Sequence, residues 1–454
     1  MSAVTEQFRL FAFEETPSHL SNGSDRFQLE LPVRERLTLL LQGELNFHGE
    51  NSGYASHDLH AFAAKFPPQL PRAFIRGLSR QGDVVLDPMM GSGTTVVEAL
   101  LEGRRGIGLD IDPLALRLSR AKTTRLELDT LREAGSKVLS LANALLPDGK
   151  VIARSLAKRF DERTKTFIDY WFLPATQREL MALILAIEDV TNISVRHFLE
   201  LTLSSIIVTK SGGVSLARDL AHSRPHLDKT KIPKSALEQF SMRLRKHLVS
   251  IAHLKTNGIQ AVTLAGDARC MPIVDGATDL IVTSPPYANA IDYMRAHKFS
   301  LVWLGGSVAA LSSMRASYIG SERVGHTQYP VLPDRLERII RELAERDGKK
   351  ASILRKYFVE MESVFAEMYR VLRSNSAAIV VVGTSLMRGI DVQTHYCLAD
   401  IAVALGFEVV GVVQRVLDRN KRMMPARFGK KTDSMIEQRM HEEYVIGLLK
   451  PGHP

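Results

Sequence analysis

Cysteine is almost absent: the chain of 454 residues has two, Cys270 and Cys397. Two distant cysteines make neither a disulfide framework nor a zinc-ligand pair, and they point to a reducing compartment. Aromatic residues are sparse, at 7%, with two tryptophans. No apolar run reaches the roughly 18 residues that a membrane helix needs. The opening MSAVTEQFRLFAFEETPS has no basic head followed by an apolar stretch, so no secretory signal is expected. Internal repeats and low-complexity tracts are missing as well. These absences predict a cytoplasmic protein and exclude a collagen-like repeat, a disulfide scaffold and a membrane span.

What remains is ordinary globular material, 45% hydrophobic and 24% charged. Such a length can bury a large core unaided, and it suggests two or three domains or one core with an inserted piece. Fifty-nine Lys and Arg stand against 50 Asp and Glu, a net +9. The excess is concentrated. Lys210 to Thr256 carries ten basic and three acidic residues, a local +7, and Gln414 to Lys431 carries seven and one, a local +6. Each stretch reads either as a solvated surface or as a phosphate-contacting one, and the chemistry beside it decides.

A helix is expected over Val33 to Gln42. From His57 the sequence becomes more informative. Val84 to Leu86 reads as a short strand ending at Asp87. A turn with Gly91 and Gly93 follows, then a helix over Thr94 to Leu101 and a second strand, Arg105 to Leu109, closed by Asp110. Strand, glycine turn, helix, strand and acid form one β-α-β unit of a parallel sheet. The alternation stops between about Glu127 and Gly258. There Leu180, Leu183, Ile184 and Ile187 recur at helical spacing, and two helices are expected over Thr176 to Val208. Strands resume at Val262 to Leu264, Asp279 to Val282, Ala377 to Val382, Glu408 to Val413 and Tyr444 to Leu449, with helices over 357 to 372 and His395 to Leu405. The expected fold is α/β, a doubly wound, mostly parallel sheet with a helical insertion. Its expected parts are an N-terminal extension (1–56), a first catalytic part (57–125), the insertion as a candidate target-recognition subdomain (126–260) and a second catalytic part (261–454).

Two short elements carry chemistry. In Asp87-Pro-Met-Met-Gly-Ser-Gly-Thr-Thr95, glycines let the backbone approach a ligand closely. The following helix N-terminus can face a carboxylate or phosphate. No lysine follows the second glycine, which disfavours a phosphate-binding P-loop. Asp110 is placed to accept both hydroxyls of a ribose. Alone, the turn could be merely tight and Asp110 merely a cap; together they fit a nucleoside-containing cofactor. The second element, Thr283-Ser-Pro-Pro-Tyr287, follows a strand. Two prolines stiffen it and present carbonyls without amides. A serine acceptor, a fixed carbonyl and an aromatic face within four residues suit a planar base with an exocyclic amine. The competing reading is a rigid strand-to-helix turn.

Together these elements resemble those of the S-adenosylmethionine-dependent amino-methyltransferases of DNA, which modify N4 of cytosine or N6 of adenine. The resemblance covers roughly residues 57–125 and 260–450. It implies that Asp87, Pro88, Gly91, Ser92, Gly93 and Thr94 surround the methionine part of S-adenosylmethionine, that Asp110 holds its ribose and that Asp267 meets its adenine amine. It also implies that Phe66, in Lys65-Phe66-Pro67-Pro68, flanks the cofactor. Ser284, Pro285, Pro286 and Tyr287 would be catalytic, with Asn289, Asp292 and Tyr293 lining the base pocket and Trp303 in the core. No metal is implied.

Serine at 284 points to cytosine N4, because members with Ser-Pro-Pro-Tyr mostly act there. Adenine N6, an RNA or guanine amine, and a non-catalytic DNA-binding relative are the alternatives. The cofactor element precedes the catalytic one, whereas many members with Ser-Pro-Pro-Tyr have the reverse order. The implied partner is double-stranded DNA, with a cognate restriction endonuclease as a further candidate, in the bacterial cytosol. The basic stretches, the insertion and a loop from about Gly305 to Lys350 are the candidates for DNA contact and sequence recognition.

Overall fold

The computed structural model describes residues 30–62, 65–207, 209, 213–218, 226–254, 256, 258–288, 293–321, 330–383, 385–417 and 442–452. Helices α1 (Val33–Gln42) and α2 (Gln69–Leu78) precede strand β1 (Val84–Asp87). Then come α3 (Thr94–Leu101), β2 (Arg105–Asp110) and α4 (Pro113–Thr123). Six helices follow: α5 (Leu128–Leu145), α6 (Gly149–Arg159), α7 (Glu162–Trp171), α8 (Pro174–Glu188), α9 (Ile193–Ile207) and α10 (Ala236–Ile251). The sheet resumes with β3 (Val262–Ala265) and β4 (Thr278–Thr283), followed by α11 (Tyr293–Trp303), α12 (Val308–Met314), α13 (Asp334–Arg346) and α14 (Gly348–Val371). The chain closes with β5 (Leu372–Gly383), a small hairpin of β6 (Leu386–Met387) and β7 (Ile390–Asp391), α15 (Thr394–Ala404), β8 (Glu408–Val416) and β9 (Glu442–Lys450).

The seven-stranded sheet has the order β3-β2-β1-β4-β5-β9-β8. Its first five strands are parallel, and β9 runs antiparallel between β5 and β8. The order reverses at β1, so the β1–β4 crevice at the strands' C-terminal edge is the topological switch point, where open α/β sheets bind ligands. Strand period two divides the core. Ala377, Ile379 and Val381 of β5 face α1 and α2, packing with Leu37, Leu41, Leu70 and Phe74. Ala378, Val380 and Val382 face α13, α14 and α15. A strand buried on both faces reads as a continuous apolar run, as Ala377 to Val382 does.

Between α4 and β3 the six helices build a separate core. Leu131 and Val138 of α5, the predicted Leu180, Leu183, Ile184 and Ile187 of α8, Phe198 of α9 and Phe240 of α10 are buried together. Leu118 of α4 and Phe299 and Trp303 of α11 join them, so this core is fused to the helix that follows the Ser284–Tyr287 loop. The expected loop from Gly305 to Lys350 is a correction: it contains α12, α13 and the start of α14. Helix α13 is mostly charged in sequence, yet it buries Leu336, Ile340 and Leu343, one per turn, against α14.

Several sequence expectations fall outside the described residues: the first 29 positions, Asn289 and Asp292, and most of the basic stretch at 414–431. Parts of the basic stretch at 210–256 do so as well.

Candidate active site

The C-terminal ends of the parallel strands bring the predicted residues to one edge. Asp87 ends β1, Asp110 ends β2, Asp267 follows β3 and Ser284 follows β4. Gly383 ends β5, and Glu443 pairs with it from antiparallel β9.

The turn after β1 is shaped by its glycines. Gly91 has φ 49° and Gly93 φ 79°, both in the left-handed region that favours glycine. A side chain at Gly91 would meet the Phe62 ring at 3.1 Å, and one at Gly93 would meet Ser119 Oγ at 2.5 Å. The Gly91 amide donates to Asp110 Oδ2 at 2.8 Å, and the Asp112 amide to Oδ1 at 2.8 Å. Each carboxylate oxygen keeps a further lone pair for a ligand hydroxyl. Burial, then the neighbouring Asp112, pushes the Asp110 carboxyl up to about 7. Asp112 caps α4 through the Leu114 and Ala115 amides and takes His297 Nδ1 at 2.7 Å and the Tyr318 hydroxyl at 2.9 Å. Burial opposes its charge, but His297 and these bonds hold it below the usual carboxylate range.

Asp87 looks inward. Its Oδ1 receives the Thr283 hydroxyl at 2.7 Å and the Met89 amide at 3.2 Å. Burial raises it to about 6, against the pull of these donors. The Thr95 hydroxyl reaches the Val282 carbonyl at 3.1 Å, a second tie between the glycine-turn helix and β4. Asp267 is held by the Arg269 guanidinium through both carboxylate oxygens, at 2.6 to 3.1 Å. Arg269 also pairs with Glu360 at 2.7 Å.

Two bonds hold the second half of the Ser284–Tyr287 loop. Tyr357 of α14, fully buried, donates its hydroxyl to the Pro286 carbonyl at 2.9 Å. The Tyr287 hydroxyl reaches Glu443 Oε1 at 2.9 Å. Among the described residues the half-buried Ser284 hydroxyl has no side-chain partner.

Phe66, expected to flank the cofactor, is 7% exposed in the core with Leu70 and Phe74. Residues that the sequence does not single out stand at the site instead. Phe62, four residues earlier, is the ring over Gly91. It lies 5.9 Å from Tyr293 at 22° and 4.9 Å from His297, an aromatic wall beside Asp110. Tyr293, predicted for the base pocket, therefore also neighbours Asp110, and burial followed by the Asp110 charge raises its hydroxyl. Lys122 of α4 is 1% exposed and donates to the Ser92 carbonyl at 3.0 Å. Burial, then Lys65, lowers it well below the usual amine range. Its spacing from Leu118 and Leu114 marks a buried helix face, the one signal that could have found it. Glu98 of α3, fully buried, accepts His57 Nε2 at 2.5 Å, the Tyr54 hydroxyl at 2.8 Å and Arg72 Nε at 2.9 Å, which clamps the preceding segment onto α3.

Amide donors at a glycine turn and α3, an acid that retains lone pairs at β2, and an aromatic wall fit a nucleoside carrying an amino-acid tail. With the sheet order, they define the α/β methyltransferase class. Residues 42–121 match the family model described as DNA methylase. The chain is 22% identical over 391 residues to the type II methyltransferase M.MvaI of Kocuria varians, covering 79% of this chain and 83% of that one. It is 21% identical over 411 residues to M.BsoBI of Geobacillus stearothermophilus, covering 80% of each. To M.BglI of Bacillus subtilis it is 39% identical over 99 residues, 22% of this chain and 28% of that one. These likenesses support, for the chain, the family of S-adenosylmethionine-dependent DNA amino-methyltransferases. S-adenosylmethionine is its cofactor.

Proposed function

We propose that the chain is a site-specific DNA methyltransferase that methylates the exocyclic N4 of a cytosine flipped out of the duplex. The observation that carries this reading is the union of the two motifs. The loop Ser284–Tyr287 leaves β4 directly after Thr283, whose hydroxyl is bonded to Asp87 of the glycine-turn strand. A base seated on that loop is therefore beside the cofactor turn.

The cofactor supplies a methyl group already activated on a positive sulfonium sulfur. The residues of the chain hold and orient. The Gly91–Thr94 turn would hold the cofactor's methionine part, Asp110 its ribose and Asp267 its adenine amine, with the Phe62–Tyr293 wall beside them. The amine of cytosine is a poor nucleophile because its lone pair is delocalised into the ring. Ser284 Oγ and the Pro285 carbonyl accept hydrogen bonds from its two N–H groups, which favours a pyramidal nitrogen as the carbon–nitrogen bond forms and the carbon–sulfur bond breaks, electrostatic help aimed at developing charge; one of these hydrogens then leaves as a proton to restore the neutral amine. The Tyr287 ring stacks on the base. Alignment of this kind contributes roughly 7–11 kcal/mol in the best-oriented systems. Extruding the base costs a few kcal/mol, and phosphate contacts by basic residues of the helical insertion offset it. The insertion is the proposed sequence reader, and a cognate restriction endonuclease the proposed cellular companion.

The test is transfer of a radiolabelled methyl group to duplex DNA, with digestion to nucleosides. N4-methylcytosine is the expected product. N6-methyladenine would overturn the base assignment, and label on RNA alone would overturn the DNA substrate.

A further inference from the structure

A buried ion pair stands behind the catalytic aromatic ring. We propose that Glu443 and Arg415 form a positioning device that sets the plane of the Tyr287 ring for stacking on the target base. This rests on the reading of Tyr287 given above and extends it to strands far away in sequence.

The Tyr287 hydroxyl donates to Glu443 Oε1 at 2.9 Å, across 156 residues of sequence. Glu443 Oε2 takes Arg415 Nη1 at 2.7 Å, and Arg415 Nε donates to the Leu45 carbonyl at 3.1 Å. The Arg415 side chain is 3% exposed and that of Glu443 10%. The two sit opposite each other in the β8–β9 register, and Glu443 pairs with Gly383 of β5. The ring itself lies on Gly383, where a Cβ would come within 2.6 Å of Tyr287 Cε2. Its backbone is held one residue earlier, where the Tyr357 hydroxyl meets the Pro286 carbonyl at 2.9 Å.

As a source of stability this arrangement is poor, because a buried ion pair seldom recovers its desolvation cost and apolar residues of similar volume would serve better. As a positioning device it is effective. A charge-assisted bond is roughly twice as strong as a neutral one, and the Arg415 guanidinium holds the Glu443 carboxylate aimed at the hydroxyl. Burial, then Glu443, raises the Tyr287 hydroxyl well above its ordinary value, so it remains a donor. A ring tied at its hydroxyl, its edge and its backbone cannot swing away from the stacked base.

The test uses the whole chain and a duplex DNA that the wild type methylates. The variants are Glu443→Ala, Glu443→Gln, Tyr287→Phe and the double variant Tyr287→Phe/Glu443→Ala. Misplacement of a reacting group by about 1 Å costs roughly 100-fold, so Glu443→Ala is expected to lower kcat on that scale. KM for DNA and the Kd of S-adenosylmethionine should stay near wild type. Glu443→Gln, which keeps an acceptor, should recover much of the rate. The double variant should be no slower than the slower single variant. Wild-type kcat in Glu443→Ala or Tyr287→Phe overturns the proposal. So does a loss in Glu443→Ala matched by equal losses of Tm and cofactor binding, which marks a merely structural pair. If Glu443→Ala does not fold, Tyr287→Phe decides alone, since it removes one oxygen. Absence of methyl transfer by the wild type sinks the functional reading itself, whereas normal transfer with undisturbed variants sinks only the positioning role.

Discussion

The Thr283 hydroxyl donates to the Asp87 carboxylate at 2.7 Å and joins two motifs 196 residues apart in sequence. Both residues are buried, Thr283 completely and Asp87 to within 2%. The bond crosses the β1–β4 crevice, so the strand that leads into the glycine turn and the strand that leads into the Ser284–Tyr287 loop are held in one register.

Thr283→Val keeps the shape and removes the donor. Leaving a buried acceptor without its partner costs about 1–3 kcal/mol. Urea unfolding should therefore show a lower midpoint with an unchanged slope, and Thr283→Ser, which retains the hydroxyl, should recover most of it. A Thr283→Val protein as stable as wild type would show that Asp87 is satisfied by its other donors, Thr95 and the Met89 amide.

Ser284→Ala removes one of the two acceptors assigned to the amine and touches nothing else among the described side chains. Loss of a single group aimed at transition-state charge costs roughly 100-fold or more in kcat. The Kd of S-adenosylmethionine, measured by titration, should be unchanged, because the cofactor is assigned to the β1 and β2 ends. Near-normal turnover would remove Ser284 from the reaction.

Much of the scaffold was legible because its signals are local. The apolar run Ala377 to Val382 is a doubly buried strand. The helices over 33–42 and 94–101 have the predicted bounds. Asp87, Asp110 and Ser284 do sit at strand ends on one edge. What was hidden depends on tertiary packing. Nothing in the sequence links Tyr287 to Glu443, since the pairing arises from where antiparallel β9 enters the sheet. Phe62 and Phe66 look equivalent in His60-Ala-Phe-Ala-Ala-Lys-Phe66, and the surrounding core decides which ring covers Gly91. Helix α13 was read as loop because charge dominates its composition, while its three buried residues are enough to dock it.

Two carboxyls at the cofactor edge are raised by burial, Asp87 to about 6 and Asp110 to about 7. In an unfolded chain both would titrate at about 3.9. Between those values the folded protein binds more protons than the unfolded one, so stability falls as pH rises across this window. Their stabilising contribution is complete below about pH 4 and is lost by about pH 7. The ligand-free protein should therefore lose Tm as pH rises from 4 to 7 through these groups, and Asp110→Asn should flatten the decline. Cofactor binding has the opposite sign, since ribose hydroxyls donate best to an ionised Asp110. Affinity for S-adenosylmethionine should rise through pH 7, although Asp112, His297 and Tyr293 also face this acid. An affinity independent of pH would detach Asp110 from the ribose.

Lys122 separates stability from binding. Its amine is buried with the Ser92 carbonyl as partner, and burial lowers its pKa well below the ordinary range. Between that depressed value and about 10.4 the unfolded chain binds the extra proton. Stability therefore rises with pH across that interval, and at neutral pH this lysine is a cost to the fold. Lys122→Met has a similar length and no charge to desolvate, so the ligand-free variant should be at least as stable at pH 7 and should lose part of the rise in stability toward pH 10. The same change frees the Ser92 carbonyl, which fixes the peptide between the two glycines of the cofactor turn. A turn that must be ordered on binding weakens affinity, here by about tenfold, which is about 1.4 kcal/mol. Calorimetry of S-adenosylmethionine binding beside thermal unfolding of the same sample reads both. A variant that is less stable yet binds normally would make Lys122 a core residue with no part in shaping the site.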